Sequence, residues 1–292
     1  MADGGDGAGS LRAGRDEQSA GSQRAGHDEQ SAGSLRAGRS DAVRLAVTLF
    51  TVAPVHGPHA VTRGAARGAL LLGPVVGAGL GALCGLAAYG LDHASGSRLL
   101  GAAVAIALME LLTRGLHLDG LADTTDGLAT HKPAQDALAI MRQGDVGPLG
   151  AAAVAAVLLI DVAALASCRS AVVPLVIAGA AGRLAVVRAA APSVPVAAGG
   201  SMGQTFGGSV PVVAMVLATI AVVGGAVGLG VAGYSDARGR IISAAAVGAA
   251  IVVAEIVRRH AAKRLGGVNG DVWGALVELA TTAALITLAC AR

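Results

Sequence analysis

The sequence predicts an all-α, polytopic transmembrane helical bundle of about seven spans, preceded by a short N-terminal interfacial or re-entrant helix. Three observations carry this. Mean hydropathy is +0.66, with 54% of residues hydrophobic and 14% charged. Apolar runs of about 20 residues recur along the chain, the length that a bilayer core about 30 Å thick requires. The 44 glycines fall largely among alanines and valines in those runs, at spacings that let helix backbones approach closely where lipid removes the hydrophobic drive for association.

Residues 1–40 read as a low-complexity tail with a 12-residue repeat, AGSLRAGRDEQS (8–19), AGSQRAGHDEQS (20–31) and AGSLRAGRS (32–40). It buries too little apolar surface to offset the entropy of ordering, so it is expected to be disordered. It lacks the apolar core of a secretory signal and is too short and polar for a solenoid. Residues 41–292 then form an integral membrane domain. The run 42–58 is interrupted by Pro54 and Pro58 and is too short to span comfortably, hence the interfacial or re-entrant assignment. Spans follow at 68–91, 99–116, 147–167, 171–191, 210–232, 241–257 and 272–290. Small residues in GPVVGAGLGALCGLAAYG (73–90) and AVVGGAVGLG (221–230) suit close helix packing better than a phosphate loop.

Cys84, Cys168 and Cys290 lie in or beside apolar runs without metal-ligand spacing, so they read as inert thiols. The net charge of +3 is spread over short connections rather than gathered on one face, which argues against a nucleic-acid partner and for orientation in a lipid bilayer. Counting connections alternately puts Arg63, Arg67 and the stretches 117–146, 192–209 and 258–271 on one side, with Lys132, Arg142, Arg258, Arg259, Lys263 and Arg264. The other side has little beyond Arg98, Arg169, Arg238 and Arg240. By the positive-inside bias the first side is cytoplasmic, and nearly all the unusual polar sequence falls there. The expected location is the cell membrane, multi-pass, with the active site on the cytoplasmic face.

In HLDGLADTTDGL (117–128), Asp119, Asp123 and Asp126 stand at i, i+4 and i+7, within roughly 40° of one another on a helix. Three like charges on one stripe repel, and a divalent cation would convert the repulsion into coordination. Oxygen ligands with only His117 beside them select Mg2+ or Mn2+ over zinc. Gly120 and Gly127 would let a phosphate approach the helix surface. Capping explains one or two such aspartates but not a stripe of three. A metal on this face points to phosphoryl transfer.

A second polar group lies in KRLGGVNGDVWGALVEL (263–279), where Asn269 and Asp271 stand at the mouth of the last span and Asp271 and Glu278 share a side of one helix. Asn269 or Asp271 can cap that helix, and Glu278 can pair with an arginine. Arg183 and Arg188 are costly in an apolar span unless they face a polar cavity; an anionic substrate is one partner, and Asp161 or Glu110 the other. IMRQGDVGPLG (140–150) supplies Arg142 and Asp145, and SMGQTFGG (201–208) reads as a flexible loop.

HLDGLADTTDG resembles the signature of the cobalamin synthase family, the adenosylcobinamide-GDP ribazoletransferases. LGGVNGDVWGALVEL is similar to that family's closing motif, and IMRQGDVGPLG and the Gly-Arg at 182–183 fit in order. The resemblance covers about 42–290. It implies an integral membrane enzyme that joins adenosylcobinamide-GDP to α-ribazole, or its 5′-phosphate, with Mg2+, releasing GMP and forming adenosylcobalamin or its 5′-phosphate. On that reading Asp119, Asp123, Asp126 and Asp271 hold metal, with Asp119, Asp123, Asp126 and His117 catalytic. Gly120, Gly127, Arg142, Asp145, Arg183, Asn269, Asp271 and Glu278 contact substrate. Many relatives carry Met-(Arg/Lys)-Asp-Ser-Arg where this chain has Met141, Arg142, Gln143, Gly144 and Asp145. Two other readings compete. A CDP-alcohol phosphotransferase would carry Ala-Arg where Asp123 and Thr124 stand. A divalent-cation transporter would show an inverted copy of the acidic motif.

Overall fold

The computed structural model describes residues 38–58, 61–198, 201–233 and 237–290. The repeat tail lies outside them as far as residue 37, and its last residues already belong to the first helix. The elements are α1 (38–50), α2 (Arg63–Ser95), α3 (Arg98–Leu112), α4 (Leu116–Ala129), α5 (Ala134–Met141), α6 (Pro148–Ser167), α7 (Val172–Ala189), α8 (Ser201–Phe206), α9 (Val212–Gly233), α10 (Ala237–Leu265) and α11 (Gly270–Ala289). Among the described residues there is no strand, only an isolated parallel bridge between Val196 and Val268.

Local chemistry sets the ends. The Thr62 hydroxyl accepts from the Ala65 amide (3.1 Å) to start α2, and Gly96, at φ 69°, ends it. Ser97 caps α3, accepting from the Leu100 amide at 3.3 Å. Pro148 occupies the first turn of α6, where its missing N–H costs nothing. α1 is followed by a non-helical stretch from 51 to 58, tied down where the Val52 amide donates to the Leu112 carbonyl (2.7 Å).

Among the described residues, six helices, α2, α6, α7, α9, α10 and α11, are long and apolar enough to cross a membrane; α3 and α4 pass the same test only as a pair bent by 87°. The expected span 99–116 therefore ends early: α3 runs with the spans and α4 turns across their end. The bend is made by two consecutive left-handed residues, Arg114 (φ 60°) and Gly115 (φ 64°). Arg114, unfavourable there for a side-chain-bearing residue, is held because its guanidinium donates to the Thr48 carbonyl at the end of α1 (2.9 Å).

Two other connections are more ordered than expected. The stretch 258–271 is mostly helix, since α10 continues to Leu265, so Arg258, Arg259, Lys263 and Arg264 ride on its last turns, where cations complement the dipole. The stretch 201–208 contains α8.

The centre of the bundle is α7 and α11, the most buried spans. α2 lies along α7 with backbones nearly touching: a Cβ on Gly77 would sit 2.1 Å from the Gly179 carbonyl oxygen. α9 is peripheral, with only 6% of its apolar window buried, and Val213, Leu217 and Ile220 point outward as lipid-facing residues do. The polar connections gather at one end. Arg264 donates to the carbonyls of Thr130 and Lys132, drawing α10 onto the α4–α5 loop. The Ala197 amide donates to the Val268 carbonyl (3.0 Å) and the Val268 amide to the Pro195 carbonyl (2.9 Å), joining two further connections.

Candidate active site

At this end α4 crosses the start of α11 at backbone contact. A Cβ on Gly120 would lie 2.6 Å from the Asp271 carbonyl oxygen, and one on Gly274 would lie 3.2 Å from the His117 α-carbon. The crossing sets Asp119 and Asp123 of one helix against Asp271 of the other. Gly120 thus serves helix packing at the place where it was expected to admit phosphate. Gly127 is likewise filled, by the Met141 side chain of α5.

The closing motif builds its part locally. Gly266, at φ 77°, takes the turn out of α10, and Gly267 passes so close to 196–197 that a Cβ would meet the Ala197 nitrogen at 2.3 Å. Asn269 then caps α11: its side-chain oxygen accepts from the Val272 amide (3.0 Å), and its amide nitrogen donates to Asp271 Oδ2 (2.8 Å). Asn269 is committed to shaping the site, and Asp271 is aimed by it.

Asp123 is the electrostatic centre of this end. Burial, followed by the charges of Asp119, Asp271 and Asp126, raises its pKa to about 6. Among the described residues, no cation pairs with Asp119, Asp123 or Asp271.

Asp126 has another task. Its carboxylate accepts from the Gly147 amide (2.8 Å) and the Gly150 amide (2.9 Å) at the start of α6, which has no side-chain cap of its own. With both oxygens so engaged, Asp126 caps α6, a task apart from the catalytic and metal-holding one expected of it.

A cavity of about 310 Å3 opens beside the aspartates, lined by His117, Asp119, Arg142, Asn269 and Asp271 together with Phe50, Leu138, Val186, Trp273 and others. Phe50 and Trp273, absent from the expected site, form apolar wall; the signal for them was the scarcity of aromatics and the position of Trp273 two residues after Asp271. Arg142, whose Nε donates to the Leu138 carbonyl (3.1 Å), reaches the rim. Asp145 is exposed in the α5–α6 connection and outside the cavity lining.

Arg183 and Glu278, expected at the substrate, lie deeper, 2% and 4% exposed, and do not line the cavity. Glu278 Oε1 is 3.8 Å from Nδ1 of His117, and the fields of Glu278 and Glu110 fall on the Arg183 guanidinium. These residues, with buried Asp161, form an internal charged group beneath the site. Arg183 lies in the field of Glu278 and Glu110, and its buried Nε has no hydrogen-bond partner among the described residues.

Could the mouth hold a divalent cation? Among the described residues, no three His, Cys, Asp or Glu side chains stand close enough to hold one by themselves. The chemistry of the donors suits Mg2+ nonetheless: hard oxygens with unneutralised charge, in a setting where Mg2+ takes one or two carboxylates and completes its shell with water and phosphate oxygens.

The fold and this acidic mouth define a polytopic helical membrane protein with an acidic cavity at one end. A family model described as cobalamin-5-phosphate synthase matches residues 42–289, and the chain belongs to that family. It is 36% identical over 259 residues to a protein of Frankia casuarinae named adenosylcobinamide-GDP ribazoletransferase, covering 84% of this chain and 93% of the relative. A protein of the same name from Nocardioides sp. is 35% identical over 252 residues, covering 85% and 98%. Another from Stutzerimonas stutzeri is 34% identical over 248 residues, covering 84% and 96%. No solved structure matches. The chain is therefore an enzyme, a transferase of cobalamin synthesis, and the cation-transporter and CDP-alcohol readings fall away.

Proposed function

We propose that this chain joins adenosylcobinamide-GDP to α-ribazole or its 5′-phosphate, releasing GMP and forming adenosylcobalamin or its 5′-phosphate. The observation that carries this is the meeting of Asp119, Asp123 and Asp271, from two helices, at the mouth of a cavity with an apolar and aromatic wall. A ribose hydroxyl of the nucleoside attacks the phosphorus on the cobinamide side of the pyrophosphate. The new P–O bond forms as the bond to the bridging oxygen breaks, and GMP leaves with that oxygen.

The chain's part is to position and to hold charge. Arg142 at the rim suits a phosphate oxygen. The hydroxyl proton has acceptors on the cavity wall in Asp119, Asp271 and the imidazole of His117, whose Nδ1 lies 3.8 Å from Glu278. Asp119 and Asp123, with Asp271 opposite, would hold Mg2+, which when bound neutralises charge on the phosphate oxygens. The enzyme resides in the cell membrane with this end at the cytoplasmic face, a reading supported by the cations at the C-terminus of α10.

The test incubates purified protein in detergent with adenosylcobinamide-GDP, α-ribazole and Mg2+, and follows GMP and the cobalamin product by mass spectrometry. Product that depends on Mg2+ is expected. Its absence where a known synthase turns over overturns the proposal.

A further inference from the structure

The two substrates of the proposed reaction each carry a flat heterocycle, benzimidazole on the nucleoside and guanine on the activated corrinoid. We infer that the cavity beside Asp119 is the seat of the nucleoside, with its benzimidazole base against Phe50 and Trp273 and its ribose toward the aspartates. This rests on the transferase reading above and deepens it.

The first ground is the distribution of aromatic residues. The chain has one Trp, two Phe and two Tyr in 292 residues. Phe50 and Trp273 line this one cavity, and Phe206 backs Trp273 edge-on, with ring centroids 6.3 Å apart and planes at 87°. Lipid-facing packing elsewhere is met by Leu, Val and Ile, so aromatic rings collected here suit a planar ligand.

The second ground is polarity. A guanine edge offers several donors and acceptors, and each one left unpaired on burial is costly. The side chain best suited to read it, Asn269, has its oxygen on the Val272 amide and its nitrogen on Asp271. The remaining wall is largely Leu49, Leu116, Leu138 and Val186. A dimethylbenzimidazole has apolar edges and a single ring-nitrogen acceptor. Trp273, 4% exposed, has a buried indole N–H with no hydrogen-bond partner among the described residues.

The third ground is size. At about 310 Å3 the cavity is of the order of a nucleoside. A corrin ring with its amide side chains cannot enter it, and is left to approach Asp119 from outside.

Trp273, being the only tryptophan, reports on its own site. Full-length protein in detergent is titrated with α-ribazole and separately with GMP, exciting tryptophan at the red edge of its band, beyond nucleoside absorption. Saturable quenching by α-ribazole, with no response to GMP, is expected. Ala198→Phe, which fills the rim from a loop, should raise the KM for α-ribazole about tenfold, equivalent to about 1.4 kcal/mol, and leave the KM for adenosylcobinamide-GDP within about twofold. A response to GMP but not to α-ribazole, or a KM change confined to the corrinoid, overturns the inference. Wild-type turnover with tryptophan blind to α-ribazole would remove the inference and leave the transferase standing, whereas no wild-type turnover would remove the transferase reading itself.

Discussion

Two groups of acidic side chains, one at the mouth of the bundle and one inside it, differ in what neutralises them. Glu110, Asp161 and Glu278 come from three helices within the bundle, where Glu110 and Glu278 act on Arg183 and Asp161 acts on Glu278. Asp119, Asp123 and Asp271 stand at the mouth with no cation paired to them among the described residues. The interior group lies in the field of a buried guanidinium, whereas the mouth has no such cation beside it among the described residues and, on the proposed function, is answered by a ligand. His117 links them, lining the cavity while its Nδ1 faces Glu278.

The largest effect should come from the interior. Arg183→Ala leaves buried carboxylates without their cation and is expected to cost about 3–5 kcal/mol of stability, read as a collapse of the detergent melting transition. A variant that melts like wild type but loses turnover would place Arg183 at the substrate and break the contrast.

At the mouth, Asp123→Asn should lower kcat by about 100-fold or more, the scale of losing one preorganised charge-stabilising group. Its melting should be unchanged or slightly raised, because the substitution relieves repulsion from Asp119, Asp271 and Asp126. Retained turnover, measured as GMP release, would take Asp123 out of the chemistry.

A smaller effect sharpens the same point through pH. Asp123 moves from 3.8 in the free side chain to about 6 in the folded protein. A carboxyl with a raised folded value contributes stability that is fully present below the unfolded value and is lost as pH rises through the folded one. Without Mg2+, the melting temperature should therefore carry a downward component between about pH 4 and 6, which Mg2+ offsets above pH 6 and Asp123→Asn removes. Melts at pH 5 and pH 7.5, with and without Mg2+, check this; an equal Mg2+ effect at both would contradict it.

Much of this was legible in the sequence for definite reasons. Apolar runs announced the spans, and the 3.6-residue period put Asp119 and Asp123 on one stripe. The bend at Arg114 was hidden because a non-glycine residue takes the left-handed conformation there, held by a contact 66 residues away at Thr48. The packing of Gly120 on α11 was hidden because a missing side chain looks the same whether a phosphate or another helix fills the space. Arg183 was ambiguous for a similar reason: a buried guanidinium needs an anion, and only the packing of α7 on α11 names Glu278.

Asp126 offers the mildest perturbation and the finest test of the contrast, because it shares a stripe with the site while its oxygens serve the fold. Asp126→Ala removes the acceptors for the Gly147 and Gly150 amides and should cost about 1 kcal/mol, as loss of a helix cap does. Asp126→Asn keeps one carbonyl acceptor and should cost less. Turnover per folded molecule should fall far less in either than in Asp123→Asn, since α6 is anchored to α4 and α11 along its length. If Asp126→Asn instead matched Asp123→Asn in lost GMP release while melting normally, the cap would be a resting arrangement and the whole stripe would belong to the ligand. Spacing along a helix makes the three aspartates equivalent; it is the amides of a neighbouring helix that make one of them different.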